Sequence, residues 1–259
     1  MKSDSPKLIQ SVARAVDILN CFELHHTRLT LNDISTQTGI HINTVRGLIH
    51  TLIAKGLIAH DKSNNTYHLG YYFMGRSRII QSEIDTYINL CKAPVDALAN
   101  TYHITASVQM VQKDQILTVY CAYPRHTAYY IILSDYTPLP KHATSSGLLL
   151  LAYTDKFHEE NYLDSLPFPT FTPNTLRTAA ELKARLSTIR QMGYAQENEE
   201  FALDVGSLAI PVFEPSQGQL IMTISCTFFV KQLETIKSSI LQDMQNIAHS
   251  VMMQLRANL

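Results

Sequence analysis

The stretch NTVRGLIHTLIAKGLIAHDKSNNTYHLG, from Asn43 to Gly70, constrains the fold more than any other part of the chain. Its first half spaces Val45, Leu48, Ile49, Leu52 and Ile53 three and four residues apart, the pattern of a helix with one buried face. Gly56 closes that helix. LIAHD and TYHLG then alternate like two strands around the polar turn KSNN. Upstream, SVARAVDILNCFE (Ser11–Glu23) carries Val12, Ala15, Val16, Ile18, Leu19 and Phe22 at helical spacing, one buried face. LNDISTQTG reads as a short second helix that Asn32 caps and Gly39 stops. Helix, helix, helix and hairpin, with a tight glycine turn between the last two helices, describe a winged helix-turn-helix. In that arrangement the third helix enters the major groove and the hairpin lies along the backbone or minor groove of double-stranded DNA.

Charge agrees with that reading. The chain has 259 residues and a net charge of −1, but the charge is uneven. Residues 1–80 hold nine Lys/Arg against five Asp/Glu, and residues 81–259 hold twelve against seventeen. A basic head on an acidic body fits phosphate contact by the head alone. No run of residues is long and apolar enough to span a bilayer, and MKSDSPKLIQ lacks the apolar segment of a secretory signal. Cys21, Cys91, Cys121 and Cys226 are far apart, which fits a reducing cytoplasm and argues against a zinc site or a disulfide framework. No metal, cofactor or membrane association is expected.

Beyond the head, YYFMGRSRIIQS reads as a linker helix over 71–85, and residues 86–259 as a second domain. EIDTYINLCKAPVDALANTYH is helical with a restart at Pro94. ITASVQMVQ and QILTVYCAY change to period two, as do SLAIPVF and QLIMTISCTFF around EPSQG, so each pair predicts a hairpin. SSGLLLLAY is a short buried helix. Asn174 or Thr175 is expected to cap the helix in LRTAAELKARLSTIRQMG. The last helix repeats apolar residues in steps of three and four from Leu233 to Leu255. The fold class is therefore α+β, a winged helix-turn-helix followed by an α/β domain with an antiparallel sheet.

The segments SVARAVDILNCF, LTLNDISTQTGI, NTVRGLIHTL and YHLG, and then CKAPVDALANTYHITASV, LPKHATSSGLLLLAY and IRQMGYAQENEEFALDVGSLAIPVF, resemble the IclR family of bacterial transcriptional regulators in order and spacing over nearly the whole chain. The resemblance implies a GAF-like effector-binding domain over 86–259, and dimeric heads on a pseudo-palindromic operator. It also implies a homodimer or homotetramer, and control of catabolic genes by a small organic acid. It departs from the family at Gly47, where arginine is usual, and at Asn43, where serine is commoner. It departs again at Ser145 and Ser146, where Gly or Ala is frequent, and at Leu148, where lysine is common.

The candidate DNA-binding residues are His41, Asn43, Thr44, Arg46 and His50 on the third helix, Arg14 on the first, and Lys62, Asn64 and Asn65 at the wing tip. Asn pairs bidentately with adenine and Arg with guanine or phosphate. Gly47 lowers helix propensity by about 1 kcal/mol relative to alanine and is expected to admit a close neighbour, either a second helix or the DNA backbone. The resemblance implies an effector pocket at Ser145, Ser146, Gly147, Glu197, Ser207, Ser225 and Thr227. The physics agrees. A helix start favours an anion, and Ser225 and Thr227, two apart on a strand, share a face. Glu197, Glu199 and Glu200 otherwise read as a solvated acidic loop. TSSG lacks the first glycine of a nucleophile elbow, so no catalytic role is expected. A second reading remains at this point, a small-molecule binding module or minor hydrolase that has lost DNA binding, with Gly47 as the feature that favours it.

Overall fold

The computed structural model describes residues 8–133, 139–154 and 162–257. The chain divides into two units, Met1–Glu83 and Ile84–Leu259. In the first, α1 (Gln10–Asn20), α2 (Leu31–Thr38) and α3 (Ile42–Ala54) precede the antiparallel pair β1 (Ile58–Asp61) and β2 (Thr66–Leu69). Their common core holds Ile18, Leu29, Ile34, Val45, Ile49, Leu52 and Ile58. Leu29, between α1 and α2, bridges to Tyr67 and so ties the strand pair to the helices.

Two expectations for this unit need correction. α2 is capped by Thr30, not Asn32. Thr30 Oγ1 accepts from the Asp33 amide at 3.2 Å, and the Asp33 carboxylate accepts from the Thr30 amide at 2.8 Å. This reciprocal box satisfies two orphan donors, which Asn32 inside the helix cannot do. The apolar face of α1 is also not all buried. Ile18 is, while Val12 and Val16 are 58% and 49% exposed. Gly39 does stop α2, at φ +67°.

The linker helix expected over 71–85 is the start of one long helix, α4 (Tyr72–Tyr102), and Pro94 lies inside it rather than at a restart. Proline removes one intrahelical hydrogen bond. The burial of Cys91, Val95, Leu98 and Ala99 around it offsets that loss.

The second unit is built on a five-stranded antiparallel sheet in the order β4-β3-β7-β6-β5. Its strands are β3 (Thr105–Gln112), β4 (Gln115–Ala122), β5 (Ala195–Asn198), β6 (Val205–Phe213) and β7 (Leu220–Phe229). β3–β4 and β6–β7 are the two expected hairpins, and β5 is an addition. Besides the later part of α4, the α-helices of this unit are α5 (Ser145–Tyr153), α6 (Ala179–Met192) and α7 (Val230–Ala257). Thr178 caps α6 in a box with Glu181. Asn174 and Thr175 lie upstream, where Thr175 Oγ1 donates to the Glu200 carbonyl at 2.6 Å.

Strand period divides the sheet into two unlike faces. Ala106, Val108, Leu208, Ile210, Ile224 and Cys226 pack with the apolar residues of α4 and α7. The opposite face carries Ser107, Gln109, Ser207, Thr223, Ser225 and Thr227, all buried. α5 lies over this side, with Leu148, Leu149, Leu150 and Leu151 fully buried. A polar sheet face under an apolar helix must find internal hydrogen-bond partners, and this need shapes the site.

Candidate nucleic-acid interface and ligand cavity

The register of α3 that buries Val45, Ile49 and Leu52 leaves His41, Asn43, Thr44, Arg46, Gly47 and His50 exposed on one side. His41 is the N-cap, its Nδ1 accepting from the Asn43 amide at 3.3 Å. Arg46 Nη1 donates to Asn43 Oδ1 at 3.0 Å, so these two side chains are already oriented together. A Cβ placed on Gly47 would meet nothing within 4 Å, so among the described residues no neighbouring helix accounts for the glycine. Arg14 is half-buried on α1.

The wing loop, residues 62–65, is internally bonded. Asn64 Oδ1 accepts from the Thr66 amide and hydroxyl at 3.2 and 2.6 Å. Asn65 takes φ +55° and its Oδ1 lies 3.0 Å from His60 Nε2. Both asparagines therefore spend their side-chain oxygens on the turn, while Lys62 is exposed at the tip.

In the second unit, Ser145, Ser146, Glu197, Ser207, Ser225 and Thr227 line one cavity of about 340 Å³. Gly147 does not line it. A Cβ there would lie 2.6 Å from Pro140 O and from Lys141 Cα, so the glycine lets α5 start close against the preceding loop. Thr144 caps α5. Its Oγ1 accepts from the Gly147 amide at 3.1 Å and donates to Pro140 O at 2.8 Å. The amides of Ser145 and Ser146 carry no hydrogen bond among the described residues. Leu148 is fully buried in the apolar core around α5 and does not line the cavity.

Two hydrogen-bond chains form the polar floor. In one, Gln109 Nε2 donates to Ser107 Oγ and Ser225 Oγ at 2.8 and 3.0 Å, and its Oε1 accepts from Ser146 and Thr223 at 3.0 and 2.9 Å. In the other, Ser145 Oγ lies 2.8 Å from Ser207 Oγ, and Ser207 Oγ donates to Glu197 Oε1 at 2.9 Å. Glu197 Oε2 accepts from the Glu200 amide at 3.1 Å.

The acidic segment is not a solvated loop, as the sequence suggested. Glu197 and Glu200 are each 3% exposed: β5 pairs with β6 and carries Glu197 inward, and Glu200, two residues past the strand, is held by Arg185. Burial pushes the Glu197 carboxyl up to about 7, against the Glu200 amide and Ser207 bonds, with the Glu200 charge adding to the rise. Glu200 is also raised by burial, and Arg185, 2.8 Å away, pulls it back.

The cavity also contains residues that the sequence reading did not select. Gln109 and Thr118 line it, and the buried Thr118 hydroxyl has no hydrogen-bond partner among the described residues. Ile131, Leu133, Leu139, Pro140, Phe201 and Val205 supply apolar walls. Thr105 Oγ1 donates to the Ile131 carbonyl and fixes the start of that wall. Among the described residues, Glu197 is the one charged side chain in the lining. No group of three or more His, Cys, Asp or Glu residues among the described residues could hold a metal ion, and no helix there is long and apolar enough to cross a membrane.

Residues 11–62 match the IclR helix-turn-helix domain, and residues 85–253 match the bacterial transcriptional regulator IclR C-terminal domain. The chain is 28% identical over 228 residues to the HTH-type transcriptional regulator XynR of Escherichia coli, covering 88% of this chain and 89% of that protein. It is 26% identical over 225 residues to the Pca regulon regulatory protein of Pseudomonas putida, covering 87% and 76%. Among solved structures, an IclR-type regulator from Silicibacter superposes with a TM-score of 0.80 at 22% identity, covering 95% of this chain and 96% of the other. An IclR homologue from Microbacterium hydrocarbonoxydans, complexed with 4-hydroxybenzoate, superposes at 0.73 with 19% identity, covering 95% and 99%. With a helix-turn-helix head and a sheet domain that holds a cavity, each matching the corresponding domain model, the chain belongs to the IclR family of bacterial transcriptional regulators.

Proposed function

We propose that this regulator answers to a small organic monoacid bound in the cavity, and that binding changes the grip of its heads on a pseudo-palindromic operator controlling catabolic genes. The observation that carries the ligand reading is the juxtaposition of two unbonded amides at the start of α5 with the partnerless Thr118 hydroxyl, in one enclosed space. Free amides at a helix start favour an anion, and the volume falls within the range of small-molecule sites, about 300–1,000 Å³.

The walls narrow the class. A sugar acid would strand several hydroxyls against Ile131, Leu133, Leu139 and Phe201, and each unbonded hydroxyl costs roughly 1–3 kcal/mol. A ring-bearing acid with one or two hydroxyls suits an apolar wall and a polar floor. That the Microbacterium relative was crystallised with 4-hydroxybenzoate supports the same class. In this reading the carboxylate meets Ser145 and Ser146, the ring lies along the apolar wall, and a ligand hydroxyl bonds Thr118. Ser207, Ser225 and Thr227 complete the floor.

At the head, His41, Asn43, Thr44, Arg46 and His50 read the major groove, while Arg14 and Lys62 contact phosphate, all in the cytoplasm. Asn64 and Asn65 shape the wing that presents Lys62. The test is a salt-dependent mobility shift of the promoter DNA upstream of the gene, run with and without 4-hydroxybenzoate and related monoacids. DNA binding that no such acid alters would remove this ligand class. Failure to shift any promoter DNA would favour a module that has lost DNA binding.

A further inference from the structure

Placing a carboxylate in this cavity raises a charge problem. The lining offers no cation among the described residues, and Glu197 already supplies one acid. Basic side chains on the neighbouring segments have other partners. Arg185 bonds Glu200 at 2.8 Å and the Gln196 carbonyl at 3.1 Å. Lys141 is 4.0 Å from Asp114. His142 packs between Phe168 and Phe171, with Nε2 3.0 Å from the Pro169 carbonyl. Glu200 faces Glu197 from the following loop, while Glu199 turns away to accept from the Asp204 amide and from Asn174. Two carboxylates sharing a buried site without a cation do not both ionise.

The hydroxyl chain provides a place for a proton. With Glu197 ionised, Ser207 spends its single proton on Glu197 Oε1, so the proton in the Ser145–Ser207 bond must be that of Ser145. Ser145 then shows only lone pairs to the cavity. Ser146 is likewise committed to Gln109 Oε1. With Glu197 protonated, every bond reverses. Glu197 donates to Ser207, Ser207 donates to Ser145, and the Ser145 O–H is released toward the cavity.

We propose that the cavity takes up one proton together with its carboxylate ligand, that Glu197 holds this proton, and that the Glu197–Ser207–Ser145 chain reverses so that Ser145 donates to the bound anion. The inference rests on the monoacid reading above. The neutral range in which Glu197 titrates makes this uptake accessible near physiological pH. Glu197→Gln mimics the protonated form, since its amide oxygen can accept from the Glu200 N–H while its NH₂ donates to Ser207.

The experiment is calorimetric titration with 4-hydroxybenzoate and with its neutral analogue 4-hydroxybenzamide, in wild type and Glu197→Gln. In wild type the benzoate affinity should fall about tenfold per pH unit above neutrality, as linkage to one proton requires. The benzamide affinity should not change, and Glu197→Gln should hold the benzoate affinity flat. Infrared difference spectra of the wild-type complex should show a protonated carboxyl C=O stretch that Glu197→Gln lacks. Benzoate binding with no pH dependence, or with the same dependence in Glu197→Gln, overturns the inference and leaves the monoacid reading standing. If neither compound binds even in weakly acidic buffer, the monoacid reading fails and the inference with it.

Discussion

Arg46 Nη1 donates to Asn43 Oδ1 at 3.0 Å, one helical turn apart on the exposed side of α3. The bond holds the guanidinium along the helix and leaves its remaining N–H groups outward. Arg46→Ala is therefore expected to weaken operator binding by about 1–3 kcal/mol and to relax preference at one base pair. Asn43 would lose its oriented partner in the same step. Mobility shifts on the operator and on single-base variants would check this. An even loss across all sequences would reassign Arg46 to phosphate contact, and no loss would remove α3 from the interface.

Gly47, beside Arg46, has open space around its missing side chain. With nothing among the described residues to clash, Gly47→Ala should stabilise the head by up to about 1 kcal/mol through helix propensity alone. If the glycine exists to let DNA approach, the same change should weaken operator binding. A variant with a higher unfolding midpoint and unchanged DNA affinity would show that close approach is not the reason for the glycine.

The head was legible in the sequence because each element carries its own signal. The period of α3, the left-handed Gly39 and the alternation of β1 and β2 are all local. The cavity was legible only in part. Ser107 and Gln109 alternate with Ala106 and Val108, which looks like a strand with one face in water. Only the sheet order and the placement of α5 show that this polar face is buried. Glu197 misled for a related reason, since a four-residue strand such as β5 has too few positions for its period to stand out. Thr30 and Thr178 were missed as caps although both stand three residues before an acid, the spacing of a capping box.

Val12 and Val16 on α1, and Ile79 and Ile80 early in α4, are each about half exposed or more. Exposed apolar residues that repeat along a helix face suit an interaction surface. A second copy of the chain is the expected cover, since a pseudo-palindromic site is read by two-fold related heads. Sedimentation velocity at micromolar concentration should give a dimer or larger, and Ile79→Asp with Ile80→Asp should shift it toward monomer. A wild-type monomer would refute the assignment.

Ser225 and Thr227 lie two apart on β7 and both line the cavity. Ser225 also accepts from Gln109 Nε2, while the Thr227 hydroxyl is the freer of the two. Ser225→Ala with Thr227→Val should lower affinity for 4-hydroxybenzoate about tenfold or more, since each lost hydrogen bond is worth roughly 0.5–1.5 kcal/mol. Ligand-free operator binding should be unchanged, because both residues belong to the second unit. Equal calorimetric affinities for wild type and double variant would take these hydroxyls out of the site.

Glu197 gives the pH dependence of stability a definite sign. Burial raises its folded-state carboxyl to about 7, whereas an unfolded glutamate titrates near 4.3. Between those values the folded chain binds more protons than the unfolded chain, so stability falls as pH rises through the window and levels off above it. Glu200, raised in the same direction, adds to the slope. Glu197→Gln cannot titrate. It should therefore be more stable than wild type at about pH 8, by up to roughly 4 kcal/mol at 1.36 kcal/mol per unit, and should lose most of that advantage at about pH 5. Urea unfolding of both proteins at the two pH values measures the difference directly. A gap that stays constant with pH would mean that Glu197 keeps an ordinary carboxylate titration, and that the buried hydroxyls and the Glu200 amide solvate its charge well enough to cancel the cost of burial.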